Sequence, residues 1–202
     1  TRNNLANDYL DARRIDEAIA IYEPLLADRE RILGAEHPDT LASRGSLAGT
    51  YQAADRTADA IALLEPLLAD RERVLGADHP TTLNTRNTLA NAYQDSGRFE
   101  DAIAILQPLV ADLERVLGAD HPNTLRTRNN LANDYLDARR IDEAIAIYEP
   151  LLADLERVLG AEHPDTVGSR GNLAGAYEAA GRTKDAIRIR TRLVEGSNTF
   201  TI

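Results

Sequence analysis

The feature that most constrains this chain is a period of 42 residues. Leu5, Leu47, Leu89, Leu131 and Leu173 stand at one phase of it, Tyr9, Tyr51, Tyr93, Tyr135 and Tyr177 at another, and Ala18, Ala60, Ala102, Ala144 and Ala186 at a third. The copies occupy 1–42, 43–84, 85–126, 127–168 and 169–194, and residues 195–202 match none of them. A fixed period of roughly 20 to 50 residues marks a solenoid, whose units bury their apolar faces only against neighbours. The reading is therefore one solenoid over 1–194 with a short tail, and function becomes a question about surfaces.

Within each copy the pattern is helical. His37-Pro38-Asp39-Thr40 opens a helix, because Pro suits a first turn and Asp and Thr suit an N-terminus. Leu41, Arg44, Leu47, Ala48 and Tyr51 then form a stripe at helical spacing. Ser96-Gly97-Arg98 and Ala180-Gly181-Arg182 mark the stop, with Gly free to take a positive φ. The stripe Ile15, Ala18, Ile19, Tyr22, Leu25 and Leu26 gives a second helix, closed by Gly34. Pro24, Pro66, Pro108 and Pro150 fall near its middle, where Pro removes a hydrogen bond. The stripe stays in phase across them, which predicts a kink and not a break. Arg192 stands there in the fifth copy, whose second helix is expected to be straighter. The fold class is thus all-α, an α-solenoid of five tandem helical hairpins.

Charge and composition exclude several functions. The net charge is −10, with four acidic copies ahead of a basic last one, so the body repels phosphate backbones and nucleic-acid binding is not expected. No apolar run is long enough to span a membrane. The chain has no Cys, which removes thiol chemistry and thiolate metal sites and fits a cytoplasmic protein.

A hairpin with Leu-Ala-x-x-Tyr on its first helix, Gly at the turn and Ala early in the second resembles the tetratricopeptide repeat. The longer period and the phrase Leu-Gly-Ala-Asp-His-Pro-x-Thr-Leu are similar to the kinesin light chain variety, and like arrays occur in bacterial multidomain regulators with a nucleotide-binding switch domain. The resemblance covers the chain to about Val194. It implies a right-handed superhelix whose first helices line a concave groove, and a non-catalytic scaffold that binds a protein or peptide.

At about 100° per residue, Asn3 and Asn7 lie roughly 200° from Leu5 and Tyr9 respectively and one turn apart. The pair returns as Asn87 and Asn91, and as Asn129 and Asn133. The resemblance implies that such positions hold an extended peptide, the amide offering a donor and an acceptor. Gly45, Gly49, Gly171 and Gly175 replace them in the second and fifth copies and are expected to leave space or admit a close approach. Asp11, Asp95, Asp137 and Glu178 continue the face. The groove lacks the Lys and Arg of the carboxylate-clamp cochaperones, and a ligand with basic character is the better match. The competing reading makes all these positions a solvated polar face.

Other recurring residues read as structural. His37, His79, His121 and His163 occupy one loop position, and neighbouring copies lie about 10 Å apart, too far to share a metal; loop packing or capping is expected. Arg2, Arg44, Arg86, Arg128 and Arg170, with Glu30, Glu72, Glu114 and Glu156, predict ion pairs between copies. No catalytic constellation stands apart from the repeat, so neither enzyme activity nor a cofactor is expected.

The ends carry the last expectations. The first copy starts inside its first helix, as a piece of a longer array or multidomain protein would. Copies one and four differ at only four places, Arg29 against Leu155, Ile32 against Val158, Leu41 against Val167 and Ala42 against Gly168. Arg190 stands where a Tyr or Leu would meet a further helix, which predicts the end of the solenoid. The tail Glu195 to Ile202 alternates like a short strand, free or laid along a groove. An acidic first copy and a basic last one also permit a function of another class, head-to-tail self-assembly into homo-oligomers.

Overall fold

The computed structural model describes residues 2–197 of the chain, and side chains as far as Thr191. Ten helices and no strand occur among these residues. They fall into two compact units, Thr1–Arg98 and Phe99–Ile202. The first unit holds α1 (Arg2–Asp11), α2 (Ile15–Leu33), α3 (Pro38–Ala53), α4 (Thr57–Leu75) and α5 (Pro80–Asp95). The second holds α6 (Phe99–Leu117), α7 (Pro122–Asp137), α8 (Ile141–Leu159), α9 (Pro164–Ala179) and α10 (Thr183–Ser197). In each unit every helix packs on the next, and in the second α7 also touches α9. The expected tail beyond Ser197 lies outside the described residues, and Glu195–Ser197 continue α10.

The hairpin turn is the same in every copy. After α3, Arg56 N–H donates to Tyr51 C=O at 2.8 Å and Asp55 N–H to Gln52 C=O at 3.0 Å, the paired bonds of a Schellman stop. The stop needs a residue at positive φ. Gly97 and Gly181 supply it at 74° and 73°, whereas Arg13, Asp55 and Arg139 adopt 57°, 56° and 63° without that freedom. The residue after the turn is always Arg, and its guanidinium lies over the Tyr ring one turn back. The separations are 4.4 Å for Arg14 on Tyr9, 4.3 Å for Arg56 on Tyr51, 4.2 Å for Arg98 on Tyr93, 4.6 Å for Arg140 on Tyr135 and 4.4 Å for Arg182 on Tyr177.

The four His side chains cap the first helices. Nδ1 of His37, His79, His121 and His163 accepts the N–H of the residue two ahead, at 3.1, 3.3, 3.1 and 3.2 Å. Each satisfies a donor that the first helical turn leaves open. Pro24, Pro66, Pro108 and Pro150 lie inside continuous helices. They sit on the exposed side, as do Ala20, Ala62, Ala104 and Ala146 four residues back, so water can solvate the carbonyl that each Pro deprives of its bond.

The core is made of small and branched side chains. Ala18, Ala60, Ala102 and Ala144 have no exposed surface, and Leu47, Leu89, Leu131 and Leu173 are buried beside them. Leu5, at the same phase, is 47% exposed, and Ile187 on α10 is 60% exposed. The expected ion pairs between copies are present: Arg44 meets Glu30 at 2.8 Å, Arg86 meets Glu72 at 2.7 Å and Arg170 meets Glu156 at 2.8 Å. Arg44 also reaches Asp70 at 2.6 Å and Arg128 reaches Asp154 at 2.8 Å, joining the two helices of one hairpin.

Candidate peptide interface

The residues proposed from the sequence all lie on first helices, but not all on open surface. Asn3, Asn87, Asn91, Asn129 and Asn133 are half-buried; Asn7, Asp11, Asp95 and Asp137 are exposed. A first helix in a stack has neighbours on two sides, so a position opposite its main packing stripe still meets another helix. Asn7 accepts a hydrogen bond from Tyr22 Oη, and Asn133 accepts from Tyr148 Oη. Asn133 accepts a second bond from Asn172 Nδ2 at 2.9 Å, which ties α7 to α9. These two amides therefore spend their oxygens holding the array together. Burial pushes the Tyr148 hydroxyl well above the usual phenol range.

Asn129 differs. Its Oδ1 is buried and has no hydrogen-bond partner, and the residue lines a cavity of about 460 Å³ bounded by α7, α8 and α9. Leu125, Leu155 and Leu159 form apolar wall, His163 and Pro164 mark the α9 end, and Ser169 and Asn172 lie along α9. Ser169 is 2% exposed, and its Oγ also lacks a partner. The volume is within the usual range for ligand sites, roughly 300–1,000 Å³. Two buried acceptors without donors each carry an unrecovered desolvation cost, which a ligand donor would relieve.

The glycines behave in two ways. A Cβ on Gly45 would come within 3.1 Å of Arg71 Nη2, so what approaches this glycine closely is the chain's own guanidinium. Gly49, Gly171 and Gly175 have nothing within 4 Å of a built Cβ, which is open space.

Three features went unnoticed in the sequence. Arg71 is folded inward, with Nη1 donating to Thr85 Oγ1 at 2.5 Å and Nη2 to Leu41 C=O at 3.1 Å; burial pushes its guanidinium below the usual range. Asp134 is 1% exposed with neither carboxylate oxygen partnered. The Arg–Tyr stack at each turn was legible as two invariant phases of the period. Among the described residues, no three His, Cys, Asp or Glu side chains are placed to hold a metal ion, and no helix is long and apolar enough to cross a membrane.

Comparison with known proteins decides the family. The tetratricopeptide repeat model matches residues 1–69, 45–111, 85–153 and 129–196, which together span nearly the whole chain. The chain belongs to the tetratricopeptide repeat family. Among solved structures, it is similar to the nearly identical TPR-like repeats of a Podosopora anserina protein assigned as a kinesin light chain, at 31% identity and a TM-score of 0.86, covering 99% of this chain and 96% of that one. BtubC (BKLC) from P. vanneervenii shares the fold at 22% identity and a TM-score of 0.76, covering 98% of this chain and 80% of that one. The MamA protein does so at 17% identity and a TM-score of 0.70, with 100% and 95% covered. The sequence has no significant match among curated proteins. The tetratricopeptide fold is generally a scaffold for protein–protein contact without catalytic chemistry, and α7, which carries Asn129 and Asn133 here, touches the next first helix, α9.

Proposed function

We propose that this tetratricopeptide array is a non-catalytic interaction module of a larger cytoplasmic regulator, and that it binds an extended peptide or protein segment along its first helices. The observation that carries the reading is the cavity beside Asn129, where Asn129 Oδ1 and Ser169 Oγ are buried without donors. An extended backbone or side chain laid between α7 and α9 brings donors to both. In the second unit the half-buried Asn133 and the exposed Asp137 lie on α7 with Asn129; in the first, Asn87, Asn91 and Asp95 hold the same phases of α5, and the two aspartates favour a ligand with basic character.

The test is a peptide display selection on the whole chain, repeated with Asn87, Asn91, Asn129 and Asn133 changed to Ala. Enriched peptides that lose binding in the variant support the reading. Enrichment that survives the change moves recognition to another face, and no enrichment at all overturns peptide binding.

A second reading rests on the exposed Leu5 and Ile187. Apolar side chains left open on α1 and α10 give two chains surfaces to share, and the array then assembles head to tail. Sedimentation at low salt decides it: oligomers that dissolve as salt rises support assembly, and a monomer at high concentration excludes it.

A further inference from the structure

Copies one and four are identical except at four positions, and the difference that matters is Arg29 against Leu155. The Arg29 side chain turns in toward the next first helix, where Nη1 donates to Ser43 Oγ and, at 3.1 Å, to Asp39 C=O. Arg71 does the same one copy later, donating to Thr85 Oγ1, Thr81 C=O at 3.4 Å and Leu41 C=O. Arg71 thus bridges two first helices, α3 and α5, Arg29 bonds α3, and both bond the hydroxyl at one fixed phase of the repeat.

The third and fourth copies carry Leu113 and Leu155 in place of the Arg, and at the fourth the acceptors remain. Ser169 stands at the phase of Ser43 and Thr85, Asp165 at that of Asp39 and Thr81, and Leu125 at that of Leu41. Ser169 Oγ is without a partner. Leu155 stays in the cavity wall, and about 460 Å³ is open where the first two copies hold their own arginine; the third copy carries Leu113 at this phase. Asn129 adds a further unpartnered acceptor, and Asp165, whose side chain is exposed, is among the lining residues. Arg126 also borders the cavity.

From this we infer that the cavity between α7, α8 and α9 is a receptor for the guanidinium of an arginine side chain supplied by a bound polypeptide. The bound arginine stands in for the chain's own Arg29 and Arg71. The planar fork of a guanidinium reaches several acceptors set in different directions, which an ammonium on a flexible stem does less well. The apolar walls of Leu125, Leu155 and Leu159 take the methylene stem. The inference deepens the peptide-binding reading above and rests on it for the source of the arginine.

The test uses Nα-acetyl-arginine methylamide as probe, followed by amide NMR shifts of the full chain, with the citrulline analogue as a neutral twin of the same shape. The expected result is saturable shifts at Gly168, Ser169 and Asn129, with affinity at least about 10-fold weaker for citrulline. Leu155→Arg, which restores the residue that copy one carries, is expected to fill the cavity from within and abolish the shifts. Ser169→Ala and Asn129→Ala remove acceptors without adding bulk, and each is expected to weaken the probe several-fold; they keep the test valid if Leu155→Arg folds poorly. Equal affinity for citrulline, or binding that none of the three variants alters, overturns the inference. Peptides from the display selection that bind without arginine and tolerate Leu155→Arg also overturn it while leaving the groove reading intact. Probe binding here together with an empty display selection supports the guanidinium site and sinks the groove reading.

Discussion

Asp134→Ala is expected to stabilise the protein, and by an amount that depends on pH. Asp134 is 1% exposed on α7 with both oxygens unpartnered. Burial first, and the charge of Asp137 second, raise its carboxyl from 3.8 to about 7. The folded state thus holds this proton to higher pH than the unfolded chain does. The contribution is fully favourable below about pH 3.8, is lost as pH rises towards 7, and is level above that. The displacement corresponds to roughly 4 kcal/mol for a carboxylate forced to ionise in place, and relaxation and water entry bring the working figure to about 2–4 kcal/mol. Ala92 and Ala176 stand at the same phase with no exposed surface, so the fold accepts Ala there without a cavity. Urea unfolding followed by circular dichroism, comparing midpoints, is the assay, because repeat arrays depart from two-state behaviour. At pH 8 the variant should gain about 2–4 kcal/mol, and at pH 5 about 1 kcal/mol. Asp134→Asn, which keeps the shape and removes the charge, should follow the same trend. A gain equal at both pH values, or a loss at pH 8, would refute the reasoning.

Three other outcomes follow from the fold. Asp55→Gly should stabilise by about 1 kcal/mol, since Asp55 holds a φ of 56° where Gly97 does the same work in the third copy; a lower thermal midpoint would contradict this. His79→Ala should cost about 1 kcal/mol by removing the acceptor for Thr81 N–H, and His79→Asn should recover most of it in the same melt. Ala144→Leu should destabilise by about 1–3 kcal/mol, because Ala144 has no exposed surface on the hairpin's inner face; amide exchange of α7 and α8 reports it.

The hairpins and their turns were legible in the sequence because each depends on residues close together in the chain. Gly97, Pro80 and the Leu–Ala–Tyr stripe state a helix, its stop and its start locally, and the period repeats the statement in every copy. The ion pairs of Arg44 with Glu30 were legible for the same reason, as two phases that never lose each other. The groove was only partly legible. A helical wheel turns Asn129 and Asn133 away from Leu131, but it carries no information on the neighbouring helix that half-buries both. The burial of Asp134 was hidden in the same way, since Asp8, at the same phase of the first copy, is exposed. The cavity was present in the sequence as the change from Arg29 to Leu155, and its meaning required knowing that Arg29 points inward.

The inward arginines have a consequence for how such an array diversifies. Copies that start alike need not each acquire a binding surface by adding chemistry. Where Arg29 and Arg71 keep the angle between two helices occupied, the same angle beside Leu155 is left vacant with its acceptors in place. Specificity in this protein can therefore arise by subtraction: the third and fourth copies carry Leu113 and Leu155 where the first two carry arginine, and beside Leu155 the shape of what fits is already drawn by its twin.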